Sequence, residues 1–265
     1  MPELPEVEAY RRLAERALGR PISSVVLGDP RFLRGPTSRR RFRHILLGAS
    51  FDGARRRGKL LVLDLGGTPA STGHRLGLRF GMTGSLLVDG SSGVDELIYS
   101  SRRVEARWER FAAHFVDGGS LVVHDPRLLG GVSLDPDEEL LGPDATTLTL
   151  AQLRGALVGS AAPLKARLMD QARIAGLGNL LADEILWRAS LAPQRRAGSL
   201  TPAETRRLHR HIRVTLDELS ARGGSHLGDL MPARQSGGRC PRDGAELIRS
   251  TVGGRTSWWC PRHQG

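Results

Sequence analysis

Two stretches of the chain put reactive residue types at spacings that chemistry can use. The first is the opening run Met1-Pro2-Glu3-Leu4-Pro5-Glu6-Val7-Glu8. A start methionine ahead of proline is normally removed, which leaves Pro2 as a secondary amine at the chain end. A terminal amine has a pKa of about 7.7 to 8.0, so a usable fraction is neutral and nucleophilic near pH 7. Such an amine can form a Schiff base, and Glu3 supplies a proton-transfer carboxyl one residue away. The same residues also suit a helix start, because Pro5 fits a first turn and Glu6 and Glu8 favour the positive end of the helix dipole. The octapeptide alone leaves both readings open.

The second stretch is the tail, which reads Cys240-Pro-Arg-Asp243, then sixteen residues, then Cys260-Pro-Arg-His263. Two such knuckles match the ribbon spacing for zinc, with Asp243 and His263 where cysteine is usual. A disulfide and a metal-free hairpin are the competing readings. The metal-free one must explain how so short a segment orders without a staple. Gly253-Gly254 would turn the hairpin and leave Arg255 at its tip, suited to phosphate.

Three further places carry polar or permissive residues. Gly176-Leu177-Gly178-Asn179 reads as a tight turn with exposed amides opening a helix, which serves either a plain helix hairpin or a phosphate. Arg55-Arg56-Arg57-Gly58-Lys59 sets a cationic run ahead of the apolar stretch LLVLDL, where a solvated charge run is the bland alternative. Met82, in Gly81-Met82-Thr83-Gly84, is either core filler or a wedge for a base stack. Only Lys59 and Lys165 are lysines, and every other Lys/Arg position is arginine. Where arginine is the default cation, a lysine hints at a need for a compact ammonium.

The elements that must position these residues follow from hydrophobic period. Residues 5–18 carry Val7, Tyr10, Leu13, Ala14 and Leu18 at helical spacing. From about 21 to 134, short runs (ISSVVL, HILLGASF, KLLVLDL, LGLRF, GSLLVDG, ARWERFAAHFVDGG, SLVVHD) recur between turn signals and predict an antiparallel sandwich or barrel. The acidic, turn-rich segment 135–147 reads as a linker. Beyond it the period is helical in LTLAQLRGALVG, LKARLMDQARIA, NLLADEILWRAS and TPAETRRLHRHIRVTLDELSARG, the last with a Thr201-Pro202-Ala203-Glu204 capping box. The expected domains are therefore 1–134, a linker at 135–147, 148–233 and 234–265.

At 265 residues and 39% hydrophobic content the chain can fill real cores, which excludes a disordered protein. A formal charge of +11 suits a polyanion such as nucleic acid, although a genome rich in G and C would also inflate arginine. No run of 18 apolar residues and no basic-then-apolar leader is present, so a soluble intracellular protein is expected, with no membrane partner. In such a compartment the two cysteines favour metal over a disulfide.

Taken in order, PELPEVE, RRRGK, GMTGSL, DPR at 125–127, LMDQARIAGLGNLLADEILWRA and the terminal knuckles with GGRT resemble the bacterial formamidopyrimidine-DNA glycosylase and endonuclease VIII family across nearly the whole chain. The resemblance implies an α+β, multidomain fold: an N-terminal helix-led β-sandwich, a helix-two-turn-helix domain and a C-terminal zinc-ribbon hairpin. It implies a monomer in the bacterial cytoplasm, associated with the nucleoid, acting on damaged double-stranded DNA bound across a cleft between two lobes. Pro2 would attack C1′ of a flipped-out damaged nucleotide, Glu3 would be the acid/base at the sugar, and β,δ-elimination would cut the strand. Lys59, counted with the catalytic residues, would grip a flanking phosphate together with Asn179 and Arg255. Met82 would fill the gap left by the flipped nucleotide, Arg127 would face the orphaned base, and Lys165 is a further phosphate candidate. Cys240, Asp243, Cys260 and His263 would hold a structural zinc ion.

The chain departs from the family pattern where the base is selected. Asp125-Pro126-Arg127-Leu128-Leu129-Gly130 stands where many relatives have DPRRFG, so an arginine and an aromatic wedge are both leucine here. Arg79 stands where the oxidised-guanine branch often has histidine, and the stretch from Gly223 to Cys240 is shorter than the loop with which that branch covers 8-oxoguanine. The two leucines keep a lyase-only or non-catalytic damage binder as the alternative function, while the shorter stretch points away from 8-oxoguanine toward oxidised pyrimidines, ring-opened purines, abasic sites or a bulkier adduct.

Overall fold

The computed structural model describes residues 2–94, 97 and 105–265; Met1, whose removal the sequence leads one to expect, lies outside them. The chain divides into two compact units, one of Pro2 with Glu6–Glu138 and one of Glu3–Pro5 with Glu139–Gly265. Among the described residues no helix is long and apolar enough to cross a membrane.

The first unit is a β-sandwich led by helix α1 (Leu4–Ala14), whose Val7, Tyr10, Leu13 and Ala14 are buried in its core. One sheet has the order β1 (Ile22–Leu27), β7 (Glu109–Phe115), β8 (Ser120–His124), β5 (Ser85–Val88), β6 (Ser91–Ser92). The other has the order β2 (Ser50–Arg57), β3 (Leu60–Gly66), β4 (Arg75–Arg79), β9 (Gly131–Leu134). All pairings are antiparallel. Phe51, Leu61, Leu63, Leu76 and Leu78 from one sheet share a core with Ile22, Phe111, Phe115, Leu121 and Val123 from the other.

The run HILLGASF, read as strand-like from its apolar content, is instead split between two elements. Its first half ends helix α2 (Arg39–Leu46), and β2 begins only at Ser50. Phe42, Ile45 and Leu46 lie at i, i+3 and i+4 and are all buried, so helical period wins once the preceding arginines are included. Ser38 caps this helix by accepting the Arg41 N–H at 3.3 Å.

In the second unit, helices α3 (Leu150–Leu157), α4 (Leu164–Met169), α5 (Asn179–Arg188) and α6 (Pro202–Arg222) enclose a core that includes Leu4, Leu153, Leu168, Leu181, Ile185 and Leu216. Thr149 with Gln152 and Thr201 with Glu204 form complete capping boxes. The helix expected from LKARLMDQARIA stops at Met169. Gln171 competes for the backbone there: its amide donates to the Met169 and Leu177 carbonyls at 2.7 and 2.9 Å and accepts the Gly176 N–H at 3.0 Å. The division between the two units falls after Glu138, inside the segment 135–147, and both Leu141 and Ala145 of that segment are buried. The hairpin β10 (Ile248–Val252) and β11 (Arg255–Trp259) belongs to this unit, and Cys240, Leu247 and Cys260 share a small core with Trp187 of α5.

Because Phe42 is fully buried and packs edge-on against Phe111 at 6.0 Å, it pins α2 to the sheet. Phe42→Ala is expected to cost about 3 to 5 kcal/mol, read as a lowered midpoint in denaturant melts.

Candidate active site and metal centre

Glu3 has 0% exposure, and its carboxylate takes the place of a capping residue at the start of α5. Oε1 accepts the Leu180 N–H at 2.8 Å and Oε2 the Leu181 N–H at 3.1 Å. These amides have no partner within the helix, and the helix dipole favours an anion beside them. The turn that the sequence marked for exposed amides is thus used by the protein's own carboxylate. A side chain at Gly178 would put its Cβ 2.2 Å from the Glu3 carboxyl carbon, so only glycine allows this approach. Gly176 supplies the left-handed backbone of the turn at φ +116°. Pro2, joined to Glu3 through the chain, is also buried. Asn179 opens α5, and its Oδ1 is buried without a hydrogen-bond partner among the described residues.

On the sandwich, Lys59 follows Gly58 in the two-residue turn between β2 and β3, where Gly58 takes φ +58°. The adjoining arginines are not a solvated run. Arg55 pairs with Glu138 and Arg56 with Glu8, so these guanidiniums are consumed in fixing the strand. Arg79 ends β4 and is exposed.

Met82 and Arg127 are brought together, with the Arg127 Nη1 3.9 Å from the Met82 sulfur. The clasp is the buried Asp125, which accepts from the Thr83 hydroxyl at 2.5 Å and from the Arg127 and Gly130 amides at 3.2 and 2.7 Å. Leu128 sits at φ +55° and packs against the core, while Leu129 is exposed. The two leucines that replace the family's arginine and aromatic therefore face different environments.

Lys165 is not a surface phosphate contact, contrary to the expectation from sequence. It is fully buried, its ammonium lies 2.7 Å from Asp183, and it donates to the Thr256 carbonyl and the Ser257 hydroxyl, both at 2.8 Å. Burial pushes its pKa down, against the pull of Asp183. Asp183 also pairs with Arg234 and accepts the Trp258 amide at 3.2 Å. Arg255 is exposed at the tip of the hairpin thus fastened.

The tail residues Cys240, Asp243, Cys260 and His263 converge, with their ligand atoms all within 4.8 Å of one another. Both cysteines are free and buried. His263 Nδ1 faces the cluster, 2.9 Å from Asp243 and 3.6 Å from the Cys240 sulfur, while Nε2 lies 3.2 Å from the Trp187 carbonyl. Trp187 Nε1 and the Arg242 amide donate to the Cys240 sulfur at 3.3 and 3.4 Å. Two donors on one sulfur and an outer partner for the imidazole are what a thiolate and an oriented metal-binding histidine require, so the set can hold a metal ion.

Residues 1–132 match the formamidopyrimidine-DNA glycosylase N-terminal domain, and residues 141–229 match the H2TH domain of the same enzymes. The chain belongs to the formamidopyrimidine-DNA glycosylase family. The formamidopyrimidine-DNA glycosylase of Thermus thermophilus is 38% identical over 293 aligned positions, covering 100% of this chain and 99% of that one. The enzyme of Symbiobacterium thermophilum is 36% identical, covering 100% and 89%. Among solved structures, the Lactococcus lactis Fpg protein in complex with THF-DNA and an inhibitor superimposes with a TM-score of 0.83 at 27% identity over 100% of both chains. The same enzyme with abasic-site DNA gives 0.82 at 28% over 99% of both. As a family member this is a DNA glycosylase of base-excision repair, with the α+β fold that the motifs implied.

Reading the glycosylase sequence alone missed Asp125, Asp183, Arg234 and Trp187, which touch site residues rather than act as them. Asp125 stood in the DPR motif, and its signal was an acid before proline at a strand end. Asp183 carried none, because its partners come from distant parts of the chain. Lys165→Met would leave Asp183 buried beside Arg234 with one counter-charge fewer. We expect a loss of about 3 to 5 kcal/mol, measured by urea denaturation, rather than the salt-sensitive DNA-binding defect of a phosphate contact.

Proposed function

We propose that this family member is a bifunctional DNA glycosylase/AP lyase that works through Pro2 on damaged double-stranded DNA. The observation that carries the reading is the Glu3 carboxylate held on the Leu180 and Leu181 amides, one peptide bond from the proline. Once Met1 is removed, the neutral Pro2 amine attacks C1′ of the damaged nucleotide, and the base departs with the glycosidic electron pair and takes up a proton. The proton that the attacking amine gives up passes to the Glu3 carboxylate and from there to O4′, so the deoxyribose ring opens and the C1′–N bond becomes an iminium ion. Loss of a C2′ proton then expels the 3′ phosphate, a second elimination expels the 5′ phosphate, and water releases the sugar remnant from the proline. Held on two amides, Glu3 stays in place while it trades protons with the sugar.

DNA is held by single contacts of known chemistry. Lys59, Asn179 and Arg255 offer ammonium, amide and guanidinium donors to phosphates. Exposed Arg79 and the pair Met82 and Arg127 suit the duplex around an extruded nucleotide, Met82 as an apolar wedge and Arg127 toward the unpaired base. The Lactococcus lactis enzyme is solved with abasic-site DNA and with Fapy-dG containing DNA, which supports abasic sites and ring-opened purines as the first substrates to try. Zinc is the proposed metal, held by Cys240, Asp243, Cys260 and His263 in a structural site that would supply a fixed hairpin and no reaction step. A monomer in the cytoplasm completes the reading.

Borohydride reduction of wild-type protein on abasic-site duplex should leave a covalent adduct, and Pro2→Gly should reduce its yield at least ~10-fold. No adduct from the wild type would remove the lyase mechanism, while an adduct without release of any base from a lesion panel would reduce the activity to lyase alone. For the metal, protein purified without added zinc should carry about one zinc per chain by elemental analysis. Cys240→Ala should bring that to background and expose the Trp187 region to faster amide exchange.

A further inference from the structure

Helix α2 carries charge that its own stability does not explain. Arg39, Arg40 and Arg41 occupy its first turn, where the positive end of the dipole disfavours cations, and no acidic residue offsets them. Arg39 with Arg43, and Arg40 with Arg43, are like-charge pairs at i,i+4 and i,i+3, which cost further helix stability. All four are exposed, and none has an acidic partner among the described residues. Elsewhere the arginines of this unit are typically paired: Arg11 with Glu8 and Glu15, Arg20 with Asp89 and Asp117, Arg55 with Glu138. Three of the four also line a groove of about 690 Å³, in which Arg40, Arg41, Arg43 and His44 face Ser23 and Ser24 of β1, the outer strand of its sheet.

We propose that α2 and the outer edge of β1 form a second DNA-phosphate surface, independent of sequence and of the lesion. The proposal rests on the glycosylase reading above and extends the DNA footprint of the sandwich beyond the lesion-facing residues. Continuity favours DNA over other polyanions. The exposed Arg34 donates to the Gly130 carbonyl at 3.0 Å, at the end of the loop that carries Arg127, and Ser38 starts α2 four residues later. Cationic groups thus run from the Arg127 loop through Arg34 to the first turn of α2 within one unit. Guanidinium forks, serine hydroxyls and a helix N-terminus are the donors that phosphates take in duplex contacts. An acidic peptide pairing along the edge of β1 would meet the same charge, and the experiment separates it.

The test measures affinity for an undamaged fluorescent duplex as a function of salt, with wild type, Arg40→Gln/Arg41→Gln/Arg43→Gln and the matching triple lysine variant. Each lost phosphate contact lowers the slope of log K against log salt by about 0.9, so the glutamine variant should lose about 2 to 3 from the slope. The lysine variant keeps the charges and should keep most of it. Single-turnover cutting of abasic duplex at saturating enzyme should stay within about twofold of wild type, which separates the surface from the chemistry. A glutamine variant with an unchanged slope overturns the proposal, whether or not it has lost binding to a glutamate-rich peptide; loss of that binding would assign the groove to an acidic protein segment. Wild-type protein that binds no duplex at all would overturn the glycosylase reading, and this surface with it.

Discussion

The carboxylate of Glu3 on the first free amides of α5 is the interaction on which the second unit's site depends. Burying an ionised carboxylate costs several kcal/mol, and one hydrogen bond to a charged group returns only about 1.5 to 3 kcal/mol. Two amides, aided by a helix dipole contributing up to about 2 kcal/mol in partly buried geometry, can close that gap where one could not. The arrangement explains several sequence features at once. Gly178 must lack a side chain, Gly176 must take a left-handed backbone, and Gln171 must brace the turn that presents the amides. A pattern that would serve equally to bind a phosphate is occupied here by a residue from the other end of the chain.

Charge is distributed just as selectively. The net charge of +11 is not spread evenly, because acids stand where arginines fix structure and are withheld where they do not. Arg55 and Arg56 lie beside Lys59 in one run, yet both are drawn into ion pairs that set the hairpin carrying the lysine. The two lysines also part company. Lys59 sits in a turn, whereas Lys165 is a compact ammonium that fits a closed pocket with one carboxylate, one carbonyl and one hydroxyl. A guanidinium has too many fixed donors for that pocket, which accounts for a lysine there in a chain that otherwise uses arginine.

Legibility tracked whether the signal was local. The sandwich, the Thr201–Glu204 capping box and the two knuckles rest on residues close in sequence, and each was readable. Helix α2 was missed because a window starting at His44 shows only apolar residues, while the helical period needs Phe42. The extent of α4 was missed because one side chain, Gln171, displaces the backbone from its own carbonyls. The role of Lys165 was misread because its exposure is decided by Asp183 and by Thr256 and Ser257, far along the chain. Residues suited to phosphate or sugar chemistry are suggested by their type, whereas the contacts that place them, or bury them as with Lys165, are encoded by no spacing.

Helix α5 is where these placing contacts meet. Leu180 through Arg188 are all buried, so every face of the helix has a partner and none is left for solvent. Its first turn holds Glu3, and Asp183 a turn later holds Lys165 and Arg234. Glu184 accepts the amides of Asp229 and Leu230 at 3.1 and 2.9 Å, which fixes the short segment after α6. Trp187 then reaches the cluster of Cys240, Asp243, Cys260 and His263 through both its ring N–H and its carbonyl. A rotation of α5 about its axis would disturb the acid, the buried ion pair and the ligand cluster together. That coupling gives a physical reason for the NLLADEILWRA run to carry so much of the family resemblance: Asp183, Glu184 and Arg188 are held by partners from distant parts of the chain, and the apolar positions by the core between them.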